Sequence, residues 1–204
     1  MLQIFRSNAR RRIELEKHVD FVESKLIKYA SLFYKIRLKL TPECRKALYY
    51  AMIHPHISYA VELYGSATET CIHKLQMLQN KFLRILQLQG PQYPTNQLYV
   101  NYNTLKIRDL HEQGLLYLTH KIIHHPNEIP KIYQNYFSLN CDVHGHNTRF
   151  KNDIYPHQIK TNFGAKDFKF KSHQLWNILP EEIKTVLSIQ RFRSEIKTYY
   201  FTKY

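Results

Sequence analysis

The chain has 204 residues, of which 44% are hydrophobic and 14% aromatic, and this composition excludes an intrinsically disordered protein. A formal net charge of +14 at pH 7 favours a polyanionic partner, with nucleic acid as the first candidate and an anionic membrane surface as the second. The three cysteines are widely spaced and indicate no disulfide framework. The sequence has no signal-peptide core and no apolar run long enough to span a membrane. We therefore expect a nuclear or cytoplasmic protein that is not secreted and spans no membrane.

The first part of the chain is predicted to be helical. Apolar residues recur at three- and four-residue steps between residues 13 and 39, which predicts a long amphipathic helix. The core-facing residues of this helix are Val19, Val22, Leu26, Ala30 and Phe33. A second helix is expected from Thr41, because Thr41 can cap it and Pro42 suits its first turn. The residues expected to face the core from it are Ala47, Leu48, Ala51 and Met52.

Further helices are predicted at about residues 70–88, 95–102 and 107–123, with a short one at 132–139. The inward residues of the two longer helices are Ile72, Leu75, Leu78, Phe82, Ile85 or Leu86, Leu110, Leu115, Leu118 and Ile122. Two more helices are predicted near the C-terminus, one opened by Pro180 and one from Ser188 to Phe201. The chain is therefore expected to be mainly α.

A small α+β region is expected after residue 140. Residues 148–170 are rich in β-forming and aromatic residues, and residues 168–171 (FKFK) alternate at the period of a strand. We therefore expect one or two short strands there. Trp176, the single tryptophan, is expected to anchor a small core with Leu175, Leu179 and Ile183. The alternative is that Trp176, or Phe168 and Phe170, stacks on exposed bases.

Several motifs occur together in this chain. They are YYAMIHPHISY at 49–59, LQNKFLRI at 78–85, LKIRDL at 105–110, a Thr-Arg pair at 148–149, and LWNILP at 175–180. Their residues and order resemble the C-terminal region of reverse transcriptases from non-LTR (LINE-type, Jockey-like) retrotransposons. One departure is Tyr64, where that family usually has Trp.

The resemblance implies an organisation and a function. Residues 1–90 correspond to a thumb-like helical bundle, 91–140 to a helical connector, and 141–204 to a C-terminal region with the Thr-Arg and Leu-Trp-Asn-x-Leu-Pro motifs. A thumb holds the template–primer duplex through phosphates, which lysine and arginine neutralise without reading bases. The residues expected to do so are Lys25, Lys28, Lys35, Arg37 and Lys39. RNA and DNA are the expected partners, without sequence preference, along with the palm and fingers of the same polymerase.

The resemblance does not include the catalytic residues of such a polymerase. Polymerase chemistry needs clustered carboxylates that hold two Mg²⁺ ions. The aspartates of this chain are isolated in sequence: Asp20, Asp109, Asp142, Asp153 and Asp167. Mg²⁺ would bind the palm, so we expect neither polymerase activity nor a cofactor in this chain alone.

The sequence leaves two alternatives open. One is a helical interaction or scaffold protein whose basic surface is incidental. The other is a zinc site in the segment that contains Cys141, Asp142, His144 and His146, with His157 downstream. Zinc sites take four well-spaced Cys or His ligands, and only one cysteine is nearby, so a polar loop is the preferred interpretation.

Overall fold

The computed structural model describes residues 2–143, 150–156 and 167–204, with only the backbone for residues 2–12. The described residues are mainly helical, as predicted. The α-helices are α1 (Leu2–Ile36), α2 (Pro42–Leu48), α3 (His54–Ser58), α4 (Val61–Tyr64), α5 (Glu69–Gln87), α6 (Thr95–Tyr102), α7 (Ile107–His124), α8 (Asn140–Val143), α9 (Phe168–Ile178), α10 (Glu181–Lys184) and α11 (Ile189–Phe201). Short 3₁₀ helices lie at Arg37–Lys39, Pro126–Glu128 and Lys131–Tyr133, and a π-helical turn at Tyr49–Ile53.

The strand predicted at residues 168–171 is wrong, because these residues form the first turn of α9. The side chain of Asp167 accepts a hydrogen bond from the backbone N–H of Lys169 at 3.3 Å, which caps the helix. A four-residue alternation is too short to outweigh such a cap. The β pairing present in the described part of the chain is an isolated bridge between Leu139 and Ile154. Residues 148–149 and 157–166, where a strand was also expected, lie outside the described residues.

The chain forms two compact units, Met1–His111 with Tyr204 (unit 1) and Glu112–Lys203 (unit 2). This division lies within α7. Each unit contains buried apolar residues of its own.

The core of unit 1 lies between α1 and α5, the two longest helices of the described chain. The five predicted core residues of α1, from Val19 to Phe33, are all buried. The rings of Phe33 and Phe82 pack edge to face with their centroids 5.8 Å apart, so the two helices are in direct contact. The backbone of α1 begins eleven residues before the predicted start and ends at Ile36, where the 3₁₀ turn follows.

The second helix begins as predicted but buries a different face. The Thr41 hydroxyl accepts a hydrogen bond from the backbone N–H of Cys44 at 3.3 Å. Tyr49, Ile53 and Ile57 are fully buried, whereas the four residues predicted to face the core are exposed or half-buried. A π-helical turn, with its i to i+5 hydrogen bonds, widens the helix at Tyr49–Ile53. The buried residues follow one another at four-residue steps, so they form a helical stripe on a different side from the one predicted.

A buried polar network joins α5 to the residues around it in unit 1. The side-chain amide of Gln79 donates to the Tyr49 hydroxyl and to the Leu105 carbonyl, both at 3.0 Å. The Tyr99 hydroxyl donates to the Gln79 carbonyl oxygen at 3.1 Å. Burial raises the pKa of Tyr49 to about 12. Gln79 of the LQNKFLRI motif therefore has a structural role, because these hydrogen bonds satisfy buried groups.

Trp176 is buried in the core of unit 2, as predicted. Of the three residues predicted to surround it, Leu179 is buried, whereas Leu175 and Ile183 are half-buried. The indole N–H of Trp176 donates to the Asn152 carbonyl at 3.0 Å. Asn177 holds the same segment, since its side chain both accepts from and donates to the backbone of Ile154, at 2.9 and 3.0 Å. Base stacking by Trp176 is excluded in this arrangement, because its ring faces Phe192 inside the unit.

Candidate nucleic-acid interface

Three of the five predicted phosphate-binding residues lie on one face of α1. Lys25, Lys28 and Lys35 are all exposed, and their spacing places them on the side of the helix away from the buried stripe. Lys17, which was not among the predicted contacts, shares this face and is also exposed. We call Lys17, Lys25, Lys28 and Lys35 the lysine face.

The lysine face is long enough to follow a nucleic-acid backbone. It extends over about 27 Å of helix axis at 1.5 Å per residue. This equals about eight nucleotide steps of a duplex strand at 3.4 Å each. The exposed side chains of Phe21 and Leu32 lie between the lysines. The Lys25 ammonium group is 4.4 Å from the Phe21 ring centroid. That contact holds one ammonium group close to the helix surface.

Few carboxylates offset the charge of this face. Among the described side chains, none of the four lysines takes part in an ion pair within 4 Å. The helical spacing directs Glu16 and Glu23 to other sides of α1. Asp20 lies at the edge of the face, and Glu14, one turn before Lys17, shares it. The four lysines outnumber these two carboxylates, so the face keeps a positive charge that attracts phosphate groups.

Arg37 and Lys39 are placed apart from the lysine face, beyond the end of α1. The Arg37 guanidinium lies 3.3 Å from the Tyr34 ring centroid, and its Nη1 donates to the Tyr34 carbonyl at 3.0 Å. Hydrogen bonding and the positive charge of Arg37 lower the pKa of the Tyr34 hydroxyl. Lys39 is exposed at the last position of the 3₁₀ turn.

Arg37 lines a groove of about 1050 Å³ between α1 and α5, which we call the α1–α5 groove. Three further cations line it from α5: Lys74, Lys81 and Arg84. Arg84 donates from Nη2 to the Thr95 hydroxyl at 2.9 Å, so its position is fixed within unit 1. These three residues lie off the core stripe of α5. That they line a groove with α1 does not follow from the sequence pattern, because the pairing of two distant helices is not encoded in a local period.

The remaining sequence candidates contribute no site among the described residues. Cys141 and Asp142 lie on α8, whereas His144, His146, His157 and the Thr-Arg pair at 148–149 lie outside the described part. Where side chains are described, no group of three or more His, Cys, Asp and Glu residues is arranged to hold a metal ion. Within the described segments, every helix is too short or too polar to cross a lipid bilayer.

Comparisons with protein-family models, with curated proteins and with solved structures found no match to this chain.

Proposed function

We propose that this chain holds nucleic acid by its backbone, as a non-catalytic part of a LINE-type reverse transcriptase. The observation that supports the proposal most strongly is the lysine face, in which four exposed lysines share one side of α1 without a paired carboxylate among the described side chains. In this proposal the Mg²⁺-binding carboxylates belong to the palm of the polymerase, and this chain supplies binding alone.

The chemistry of the lysine face suits a polymerase that copies any sequence. Lysine ammonium groups bind phosphate oxygens as point charges, and phosphate contacts position a protein on a duplex without reporting base identity. Each neutralised phosphate also releases condensed counterions. Binding to template–primer duplexes is therefore expected to be independent of sequence and to weaken steeply as salt is added.

Replacing three lysines of the face by glutamine (Lys25→Gln, Lys28→Gln and Lys35→Gln) tests the proposal. We expect the affinity for a labelled RNA–DNA duplex to fall about 10- to 100-fold at low salt, as three phosphate contacts are lost. The slope of log affinity against log salt is expected to become shallower by about 3. Fluorescence anisotropy titrations at several salt concentrations measure both quantities.

A matched control variant removes three lysine charges from unit 2. Lys131, Lys151 and Lys203 are exposed and lie in unit 2. Their triple glutamine variant is expected to keep most of the affinity and nearly all of the salt slope. Equal losses in the two triple variants would show that only net charge matters, which would contradict a binding role for the lysine face.

A further inference from the structure

The α1–α5 groove combines an apolar floor with a basic rim. Ile27, Leu38 and Met77 line it and leave 55%, 75% and 53% of their surface exposed. Large apolar side chains this exposed, gathered in one concave surface, are typical of a binding site for another molecule. The rim carries Arg37, Lys74, Lys81 and Arg84 against a single carboxylate, that of Glu23.

The dimensions of the groove match a short helix. The lining residues run from Glu23 on α1 to Leu38 in the 3₁₀ turn that follows it, and from Lys74 on α5 to Leu88 just beyond its end. At 1.5 Å per residue each wall is about 21 to 23 Å long, which accommodates an antiparallel or parallel helix of about 14 residues. An amphipathic helix laid in a groove buries its apolar stripe against the floor and places its polar flanks against the rim.

We infer that the α1–α5 groove binds an acidic amphipathic helix of a partner protein. The apolar stripe of that helix covers the exposed side chains of Ile27, Leu38 and Met77. Its Asp and Glu residues pair with the four rim cations and supply the negative charge that the rim lacks.

Nucleic acid fits this groove less well than a helix does. Bases bind proteins by stacking on aromatic rings, and Tyr34 is the one aromatic residue that lines the groove. The Arg37 guanidinium already stacks on the Tyr34 ring. The rest of the floor is aliphatic. A phosphate backbone held by the rim cations would leave the exposed side chains of Ile27, Leu38 and Met77 uncovered, whereas the apolar stripe of a helix covers them.

A second copy of this chain also fits poorly. Among the described helices, only α4, α8 and α10 carry more acidic than basic residues, and each has four residues. The longer described helices would bring basic or neutral flanks to a basic rim. Charge complementarity therefore favours a different protein.

The test uses the full chain and a labelled synthetic peptide of 14 residues. The peptide has leucines at helical spacing along one face and glutamates on both flanks, and a second peptide replaces every glutamate by lysine. We expect the acidic peptide to bind at least tenfold more tightly than the basic one in fluorescence anisotropy. Met77→Asp and Lys81→Glu are each expected to weaken the acidic peptide about tenfold.

Controls separate this proposal from the nucleic-acid proposal. Met77 and Lys81 are exposed, so the thermal unfolding transition of the Met77→Asp and Lys81→Glu variants is expected to match that of the wild type. The Lys25→Gln, Lys28→Gln and Lys35→Gln variant is expected to bind the acidic peptide as the wild type does. Three results would overturn the inference: no binding of the acidic peptide at millimolar concentration, equal binding of the two peptides, or displacement of the bound peptide by an oligonucleotide in the lysine-face triple variant.

Discussion

Replacing Lys184 by alanine is expected to lower the free energy of unfolding of unit 2 by about 3–5 kcal/mol. The Lys184 ammonium group is buried, lies 2.6 Å from Oδ1 of Asp153 and donates to the Asn177 carbonyl at 3.3 Å. Removal of the lysine leaves the Asp153 carboxylate buried without its ion-pair partner. Desolvation of that charge, more than the loss of one contact, causes the destabilisation.

Urea unfolding followed by Trp176 fluorescence measures this loss, since the single tryptophan lies in unit 2. The Lys184→Ala and Asp153→Ala double variant is expected to lose less than the sum of the two single variants, because neither charge is then left alone. The control is Arg191→Ala, which removes an exposed ion pair with Glu195 and is expected to cost less than about 1 kcal/mol. Similar losses for Lys184→Ala and Arg191→Ala would contradict the prediction.

Acidification from pH 7.5 to 4 is expected to lower the free energy of unfolding of unit 2 by up to about 3 kcal/mol through His120. His120 is fully buried, and its Nε2 lies 2.6 Å from the Val186 carbonyl. Its Nδ1 has no hydrogen-bond partner among the described residues, so a proton added there would be unsatisfied. Burial lowers the pKa of His120 from 6.5 to about 4, and the nearby imidazoles of His124 and His125 act in the same direction.

The sign of this effect follows from proton binding. The unfolded chain binds a proton at about pH 6.5, whereas the folded chain resists protonation until about pH 4. The stabilisation is therefore complete above pH 6.5 and is lost as the pH falls through that interval. Burial lowers the pKa of His124 as well, so its contribution adds to the loss.

Urea unfolding at pH values from 4 to 7.5 tests the His120 prediction. The His120→Gln variant is expected to be less stable at pH 7.5 and to show a flatter pH dependence than the wild type. His73→Gln, at an exposed position of α5, serves as the control and is expected to keep the wild-type dependence. If His120→Gln retains the full pH dependence, His120 is not its source.

Much of unit 1 could be predicted because its helices follow a regular period. The buried stripe of α1 and the Thr41 cap both depend on local spacing, and the structure confirms both. The buried face of the second helix was predicted wrongly, because apolar residues at helical spacing occur on two of its sides and local spacing does not show which side meets the core. In α9, the Asp167 cap determined the structure, although the alternating residues that follow indicated a strand.

The candidate site also has one part that the sequence predicts and one part that it does not. Lys25, Lys28 and Lys35 share a face of α1 for the same reason that the core stripe does, so spacing alone places them together. The α1–α5 groove arises from the packing of two helices more than 30 positions apart in the chain. Lys81 and Arg84 therefore acquire a common surface with Arg37 only in the folded protein.

Lysine footprinting tests the binding of nucleic acid at the lysine face most directly. An amine-reactive reagent modifies exposed lysines, and mass spectrometry compares the free protein with the protein saturated by an RNA–DNA duplex. We expect protection of Lys17, Lys25, Lys28 and Lys35, with unchanged reactivity at Lys131, Lys151 and Lys203. A saturated complex in which the first four lysines react as they do in the free protein would contradict the proposed function.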